Sequence, residues 1–201
     1  MPEGSVNVLG VIGSPRGDAV SAGFMKLVLA EVAGRGATVQ ELDLRSRPLP
    51  LFEPDVEVNG AVARARELVV WADVLVLGTP DYHGAPSGII KNFMDHFWKE
   101  FAGKLFAIVV SSNEKGLTVQ DHLRTSVRQC YAWSLPYGVG APETALDESG
   151  SVSDPCVRQR LAMMARDLVV YGSLLRDQRL TDLAGPRDSE VSGFMARMHL
   201  D

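Results

Sequence analysis

The chain alternates between short, continuous apolar runs and longer stretches in which apolar residues return every three or four positions. Val6 to Ile12 (VNVLGVI) is a run of strand length that stops at Gly13, and Ser21 to Val32 follows with helical spacing through Phe24, Leu27, Val28 and Val32. Ala37 to Leu44 alternates apolar and polar residues, as a half-exposed or edge strand does, and RPLPLFEPD after it is a proline-rich surface loop. Ala61 to Val70 carries a helical stripe of Val62, Ala65, Leu68 and Val69; Asp73 to Thr79 is again a buried strand, and a third helix is expected from about Pro86 to Phe101. Lys104 to Ser112 reads as a fourth strand, Val119 to Trp133 as a helix, and Pro142 to Leu146 (PETAL) as a weaker fifth strand. Val157 to Leu174 closes the pattern as a helix with Leu161, Met164, Ala165, Leu168 and Val169 on one side.

Strands that alternate with helices form a parallel sheet, because each parallel connection needs a long crossover and right-handed crossovers cover both faces. Five such units give an α/β, flavodoxin-like doubly wound sheet of five parallel strands in the order 2-1-3-4-5. Its switch point lies between the first and third strands, and ligands bind there, outside the strand carboxyl ends. The loops beginning at Gly13, Thr79 and Ser111 are therefore the ones that bear on function. This domain is expected to span 1–180, with 181–201 a polar surface arm or partly disordered tail.

Composition narrows the class. The 201 residues are 46% hydrophobic, with a net charge of −5 and basic residues scattered rather than striped, so charge gives no argument for nucleic acid. No apolar run reaches eighteen residues, and MPEGSVNVLG lacks a basic segment followed by an apolar one; a soluble cytoplasmic protein is expected, without a membrane partner. Cys130 and Cys156 show no CxxC spacing and the four histidines no HExxH pattern, so no metal site is expected.

The first loop, GSPRGDAVS, suits an anion. Helix-start N–H groups carry positive partial charge, Ser14 and Ser21 donate hydroxyl hydrogen bonds, and Arg16 offers a forked cation, so a phosphomonoester fits. The plainer reading, in which Ser21 only caps the helix and Gly13 only turns the chain, stays open. Neither GxxxxGK[ST] nor GxGxxG is present. In the second loop, TPDYHGAPSG, Pro80 stiffens the strand exit, Gly84 permits a turn, and Tyr82 offers a ring. The amides of Asp81, Tyr82, His83 and Gly84 then suit the edge of a flat heterocycle. The alternative is a plain strand-to-helix turn with Tyr82 half-buried and His83 solvated. The third loop, SSNEKG, offers amides around Ser111, Ser112 and Gly116.

GSPR before a Ser-led helix, and PDYHGAPSGIIKNFMD, resemble the NADPH-dependent FMN reductase family of flavodoxin-like proteins. Its second-loop pattern is close to P-x-Y-x-x-x-x-P-x-x-x-K-N-x-x-D, matched by Pro80, Tyr82, Pro86, Lys91, Asn92 and Asp95. The resemblance implies FMN as cofactor, its phosphate on Ser14, Arg16 and Ser21 and its ring on Pro80, Asp81, Tyr82 and His83, with the third loop at the pyrimidine edge. It also implies NADPH as donor and a small acceptor: free flavin, a quinone, an azo compound, a metal oxyanion or oxygen. No catalytic acid or base is implied, since the flavin carries the hydride transfer. Two positions depart from the pattern: Arg16 and Ser21 are five apart where relatives have three, and Gly23 stands where they often have Thr or Asn. A non-enzymatic flavodoxin-like electron carrier is the alternative. Ile89, Ile90, Phe93, Met94, Phe97, Trp98 and Phe101 make an apolar band wider than one sheet-facing stripe, which suggests a partner helix and a homodimer or homotetramer.

Overall fold

The computed structural model describes residues 4–17, 19–56 and 60–185. Its elements are β1 (Asn7–Ile12), α1 (Val20–Ala33), β2 (Thr38–Asp43), α2 (Gly60–Trp71), β3 (Val74–Tyr82), β4 (Ala85–Pro86), α3 (Gly88–Asp95), β5 (Leu105–Ser111), α4 (Leu117–Gln129), β6 (Trp133–Ser134), β7 (Val139–Ala141) and α5 (Pro155–Ala184). Short 3-10 turns lie at Lys99–Phe101 and Glu143–Ala145.

The all-apolar runs become the central strands because both their faces are covered. Side chains alternate between the faces with period two: Val8, Val74, Val76, Ala107 and Val109 meet α1 and α5, while Leu9, Leu75, Leu77, Phe106 and Ile108 meet α2, α3 and α4. The sheet runs β2-β1-β3-β5-β6, all parallel along that path, and β7 also pairs β5 in parallel. The 2-1-3-4-5 order therefore holds.

The fifth strand is displaced from its expected place. Trp133–Ser134 pair with Leu105–Phe106 and Val139–Ala141 with Val109–Ser111, so the edge is two short pieces joined through residues 135–138. Residues 143–145, expected in a strand at 142–146, form a 3-10 turn. Pro136 lacks a donor and Gly138 and Gly140 weaken strand propensity, so this edge reads as loop in the sequence.

Two helices also differ. The third was expected over 86–101, but α3 stops at Asp95 and the chain folds back through the 3-10 turn. Phe97 and Phe101 thereby turn inward and meet Phe93 and Phe106 edge-on or tilted, at ring-centroid separations of 5.2–5.8 Å. The wide apolar band is thus covered mostly by its own chain, and among its aromatic members Trp98 stays exposed. Conversely, α5 runs on through Ala184, past the expected end at Leu174 and into the segment expected to be a surface arm. Polar contacts hold its last turns: Arg176 donates to the Gly4 carbonyl (2.9 Å) and Arg179 pairs with Asp73 (2.7 Å). The rest of that arm, 186–201, lies outside the described residues.

Lys104, buried at the start of β5, donates from Nζ to the Val69 and Val70 carbonyls at the end of α2. Burial, and then Arg179, pulls its pKa down to about 7 against the opposing pull of Asp73 and Glu100. An unfolded lysine titrates near ~10.4, so between about pH 7 and 10 the unfolded chain holds the extra proton. This group's contribution to stability therefore rises with pH across that window and is lowest below it. Urea unfolding of the wild type should strengthen from pH 7 to 9.5 relative to Lys104→Met; parallel pH profiles would place the ammonium in water.

Candidate functional site

The carboxyl ends of β1, β3 and β5 bring the three loops together, as the strand order requires. Gly13 donates from N–H to the Gly78 carbonyl (2.8 Å), and its own carbonyl accepts from the Ser87 hydroxyl. Ser87 also donates from N–H to Thr79 Oγ1 (3.0 Å) and caps α3 by accepting from Ile90 N–H (3.3 Å). A buried serine thus ties the first loop to the second. A Cβ on Gly13 would lie 1.9 Å from Ile90 Cγ1, so glycine is needed where α3 crosses this loop.

At the first loop, Ser14 is 3% exposed and its Oγ accepts from Arg16 N–H (3.2 Å). Helix α1 begins at Val20 with Ala19 as its N-cap and no side-chain cap. Ser21 is therefore not the cap, which removes the plainer reading of that residue. It sits one residue into the helix, 1% exposed, with its hydroxyl unpartnered among the described residues. The first N–H groups of a helix lack intrahelical partners, and a buried hydroxyl without a bond is unfavourable. Both conditions are relieved by an anion at this place. Gly23 also has a structural reason: a Cβ there would be 2.7 Å from the Gly150 carbonyl, where residues 146–152 fold against α1.

The second loop is a hairpin rather than the plain strand-to-helix turn that stood as the alternative. Tyr82 pairs with Ala85 and Asp81 with Pro86, antiparallel. His83 (φ 58°) and Gly84 (φ 78°) between them both have positive φ, as a mirror-image two-residue turn demands. Asp81 braces it: one carboxylate oxygen accepts from Gly84 N–H (2.8 Å), the other from the Ser112 hydroxyl (2.9 Å) of the third loop. The Gly84 amide is thereby committed within the protein and is not free for a ligand. Tyr82, 39% exposed, keeps its ring at the surface of the cleft.

These loops enclose a cleft of about 580 Å³, lined by Ser14, Arg16, Ser21, Pro80, Asp81, Tyr82, His83, Gly84, Ser111 and Ser112. Gly116 does not line it; it is buried at the start of α4 with φ 59°, where a Cβ would meet Val110 Cγ1 at 2.6 Å. Asn113 and Glu114 of the third loop line it too, as do Thr118 and Glu143, which escaped the sequence reading. Glu143 carried no local signal because it arrives on the turn after β7, in the segment expected to be strand. Among the described residues Arg16 is the single lysine or arginine on the wall, against the carboxylates of Asp81, Glu114 and Glu143, so the first-loop side of the cleft suits an anion. A larger hollow, about 860 Å³ between β6, α4 and α5, lies away from these loops.

The positions on α3 that match the family's second-loop pattern serve the neighbouring loop. Asn92 donates to the Pro50 carbonyl (2.8 Å) and accepts from Phe52 N–H (2.8 Å), pinning the proline-rich segment, and Lys91 pairs with Asp95 one turn on. Among the described residues no group of three His, Cys, Asp or Glu is placed to hold a metal ion, and no helix is long and apolar enough to cross a membrane.

The FMN-dependent NADPH-azoreductase of Staphylococcus haemolyticus is 30% identical over 135 residues, which cover 63% of this chain and 71% of that protein. Among solved structures, a flavoenzyme NAD(P)H:acceptor oxidoreductase from Paracoccus denitrificans superposes with a TM-score of 0.72 at 21% identity, covering 84% of this chain and 98% of its own. An NADH:FMN oxidoreductase superposes at 0.68 and 19% identity, covering 85% and 89%. The model of the NADPH-dependent FMN reductase family matches residues 6–145, and the chain belongs to that family.

Proposed function

We propose that the three-loop cleft is the FMN site of this chain and that electrons leave it for a small, flat, uncharged acceptor such as a quinone or a neutral azo compound. The chain is an FMN-dependent oxidoreductase with NADPH as electron donor, as its family membership gives. The observation that carries the site is the buried, unpartnered Ser21 hydroxyl beside an α1 terminus without a side-chain cap. Ser14, Ser21 and Arg16 would hold the phosphate; the Pro80–Gly84 hairpin, braced by Asp81, would support the ring; Ser111 and Ser112 would border its polar edge. When bound, FMN supplies hydride acceptance from the nicotinamide and electron delivery onward. The protein's part is orientation and a fixed polar frame, so no side chain is assigned as general acid or base.

The preference for uncharged acceptors follows from Asp81, Glu114 and Glu143, which repel anions at the cleft away from Arg16. A homodimer or homotetramer in the cytoplasm belongs to the same proposal. Its support is now the exposed Leu51, Phe52 and Trp98 rather than the α3 band.

The test is the visible spectrum of protein reconstituted with FMN and desalted, followed by anaerobic NADPH. Retained flavin bands that bleach within the mixing time agree with the proposal. Bands that stay oxidised would overturn the donor reading, and failure of FMN to bind at millimolar concentration would overturn the site.

A further inference from the structure

At the amino ends of β5 and β6, the opposite end of the sheet from the flavin cleft, the hollow of about 860 Å³ opens between α4 and α5. Each helix turns one stripe to it: Asp121, Arg124, Thr125 and Arg128 of α4, and Leu175, Gln178, Arg179 and Asp182 of α5. Both stripes keep the spacing of a single helix face. The floor is the segment entering β6, with Tyr131 and Trp133. Its backbone is fixed, since Gly103 N–H donates to the Tyr131 carbonyl (2.9 Å) and Trp133 N–H to the Lys104 carbonyl (2.8 Å). Tyr131 holds φ 55°, uncommon for a bulky side chain, and Trp133 is left 59% exposed. An indole and a phenol thus stand on a rigid floor inside a concavity whose volume lies within the ~300–1,000 Å³ of small-molecule sites.

The polar groups of the walls are unevenly matched. Three guanidiniums line the hollow against two carboxylates, Asp121 and Asp182. Asp182 already accepts from Gln178 Nε2 (2.7 Å), and Asp121 meets Arg124 Nη1 only at 3.5 Å, the long end of a hydrogen bond. Arg128 enters no ion pair among the described residues. Arg179 pairs with Asp73 through Nη2, but its Nε, like that of Arg124, is buried without a hydrogen-bond partner among the described residues. A donor that has given up water and gained no acceptor is unfavourable, and a guanidinium head turned toward an anion in the hollow satisfies it.

We infer that this hollow is a second ligand site, separate from the flavin cleft, for a flat aromatic molecule carrying one negative charge. Its rings would lie against Trp133 and Tyr131, and its anionic group would be received by Arg124 and Arg179, with Arg128 adding to the attraction. The aromatic floor favours a planar ring system. The excess of guanidiniums favours an anion, and the two wall carboxylates oppose a second charge on it. Because the hollow and the cleft lie at opposite ends of the strands, both sites can be filled at once, and the inference does not depend on what the cleft holds.

The probe is 2-naphthoate, with the uncharged 2-naphthalenemethanol as its comparison, titrated by isothermal calorimetry into the full chain with and without saturating FMN. One naphthoate per chain is expected, with the alcohol bound about tenfold more weakly. Arg124→Met and Arg128→Met should each weaken naphthoate by up to about tenfold, the size of one charge-assisted hydrogen bond, and leave the alcohol unchanged. Arg124→Lys should recover part of that loss, and Trp133→Ala should weaken both compounds. Lys26→Met, which removes the same charge outside the hollow, should bind like wild type. Circular dichroism checks that each variant folds, and if Arg124→Met does not, Arg128→Met carries the comparison. Equal affinity for acid and alcohol, unchanged binding in both arginine variants, or no binding at millimolar naphthoate would overturn the inference. Displacement of naphthoate by FMN would place the probe in the cleft, and occupancy that falls as protein concentration rises would make the hollow a contact between copies; either result overturns it too.

Discussion

Gly140→Ala is expected to lower the unfolding free energy by about 3 kcal/mol, the upper end of what overpacking does, and to weaken flavin binding with it. A Cβ at Gly140 would lie 1.9 Å from the Lys115 carbonyl oxygen and 2.5 Å from its carbon. The obstacle is backbone, so no change of rotamer relieves it. Lys115 (φ 65°) and Gly116 (φ 59°) both sit in the left-handed region, and this strained segment is pressed onto β7. The Lys115 carbonyl is further held by Gln120 Nε2 (3.0 Å). Admitting the methyl group means lifting the third loop off the sheet or pulling β7 away from β5. Either movement displaces Ser111 and Ser112, which line the cleft. Gly88→Ala, where nothing stands within 4 Å of the added carbon, is the control and should be neutral or mildly stabilising. Urea unfolding followed by circular dichroism decides it; a Gly140→Ala protein within 0.5 kcal/mol of wild type, roughly the size of an ordinary surface change, would show the packing to be loose.

The central sheet was legible because β1, β3 and β5 are buried on both faces, and such strands leave unbroken apolar runs. The edge was not, because β6 and β7 are two and three residues long and interrupted by Pro136 and Gly138. An edge needs fewer pairings, so its sequence is freer to look like loop. Helix α5 beyond Leu174 was missed for a related reason: it is fixed by Arg176 and Arg179 reaching the amino ends of the sheet, and periodicity records apolar burial, not such polar anchors. Aromatic residues Phe97 and Phe101 show the converse error. Helical spacing continued through them, but the chain changed direction after Asp95 and buried them by a turn.

Within the cleft, chain-local chemistry was readable and chain-distant chemistry was not. Ser14, Arg16 and Ser21 share one loop, and Pro80 to Gly84 another, so their grouping needed only the switch-point rule. The Asp81–Ser112 and Ser87–Gly13 bonds that hold those loops in register join positions 31 and 74 residues apart. Glu143 likewise reaches the cleft wall from an element whose place is set by sheet order.

Ser21→Ala and Arg16→Ala should separate stability from binding, with opposite signs for Ser21. Removing a hydroxyl that has a partner usually destabilises, but the Ser21 hydroxyl is buried and unpartnered in the ligand-free chain. Its removal deletes a desolvation penalty of about 1–3 kcal/mol without breaking a bond. The apoprotein of Ser21→Ala should therefore unfold at the same or higher urea concentration than wild type. Its FMN Kd should nevertheless rise about tenfold, because the hydroxyl would then be missing from the phosphate. Arg16 is exposed and lines the cleft, so Arg16→Ala should leave apoprotein stability nearly unchanged. Its FMN Kd should rise further, about 10- to 100-fold, since charge-assisted bonds to a dianion exceed neutral ones. Added FMN stabilises only in proportion to its affinity, so the thermal shift on saturating the wild type should shrink in both variants at equal FMN. Riboflavin, which lacks the phosphate, should bind all three proteins alike. A destabilised Ser21→Ala apoprotein would mean that the hydroxyl already has a partner, and an unchanged FMN Kd in Arg16→Ala would move the phosphate away from the first loop altogether.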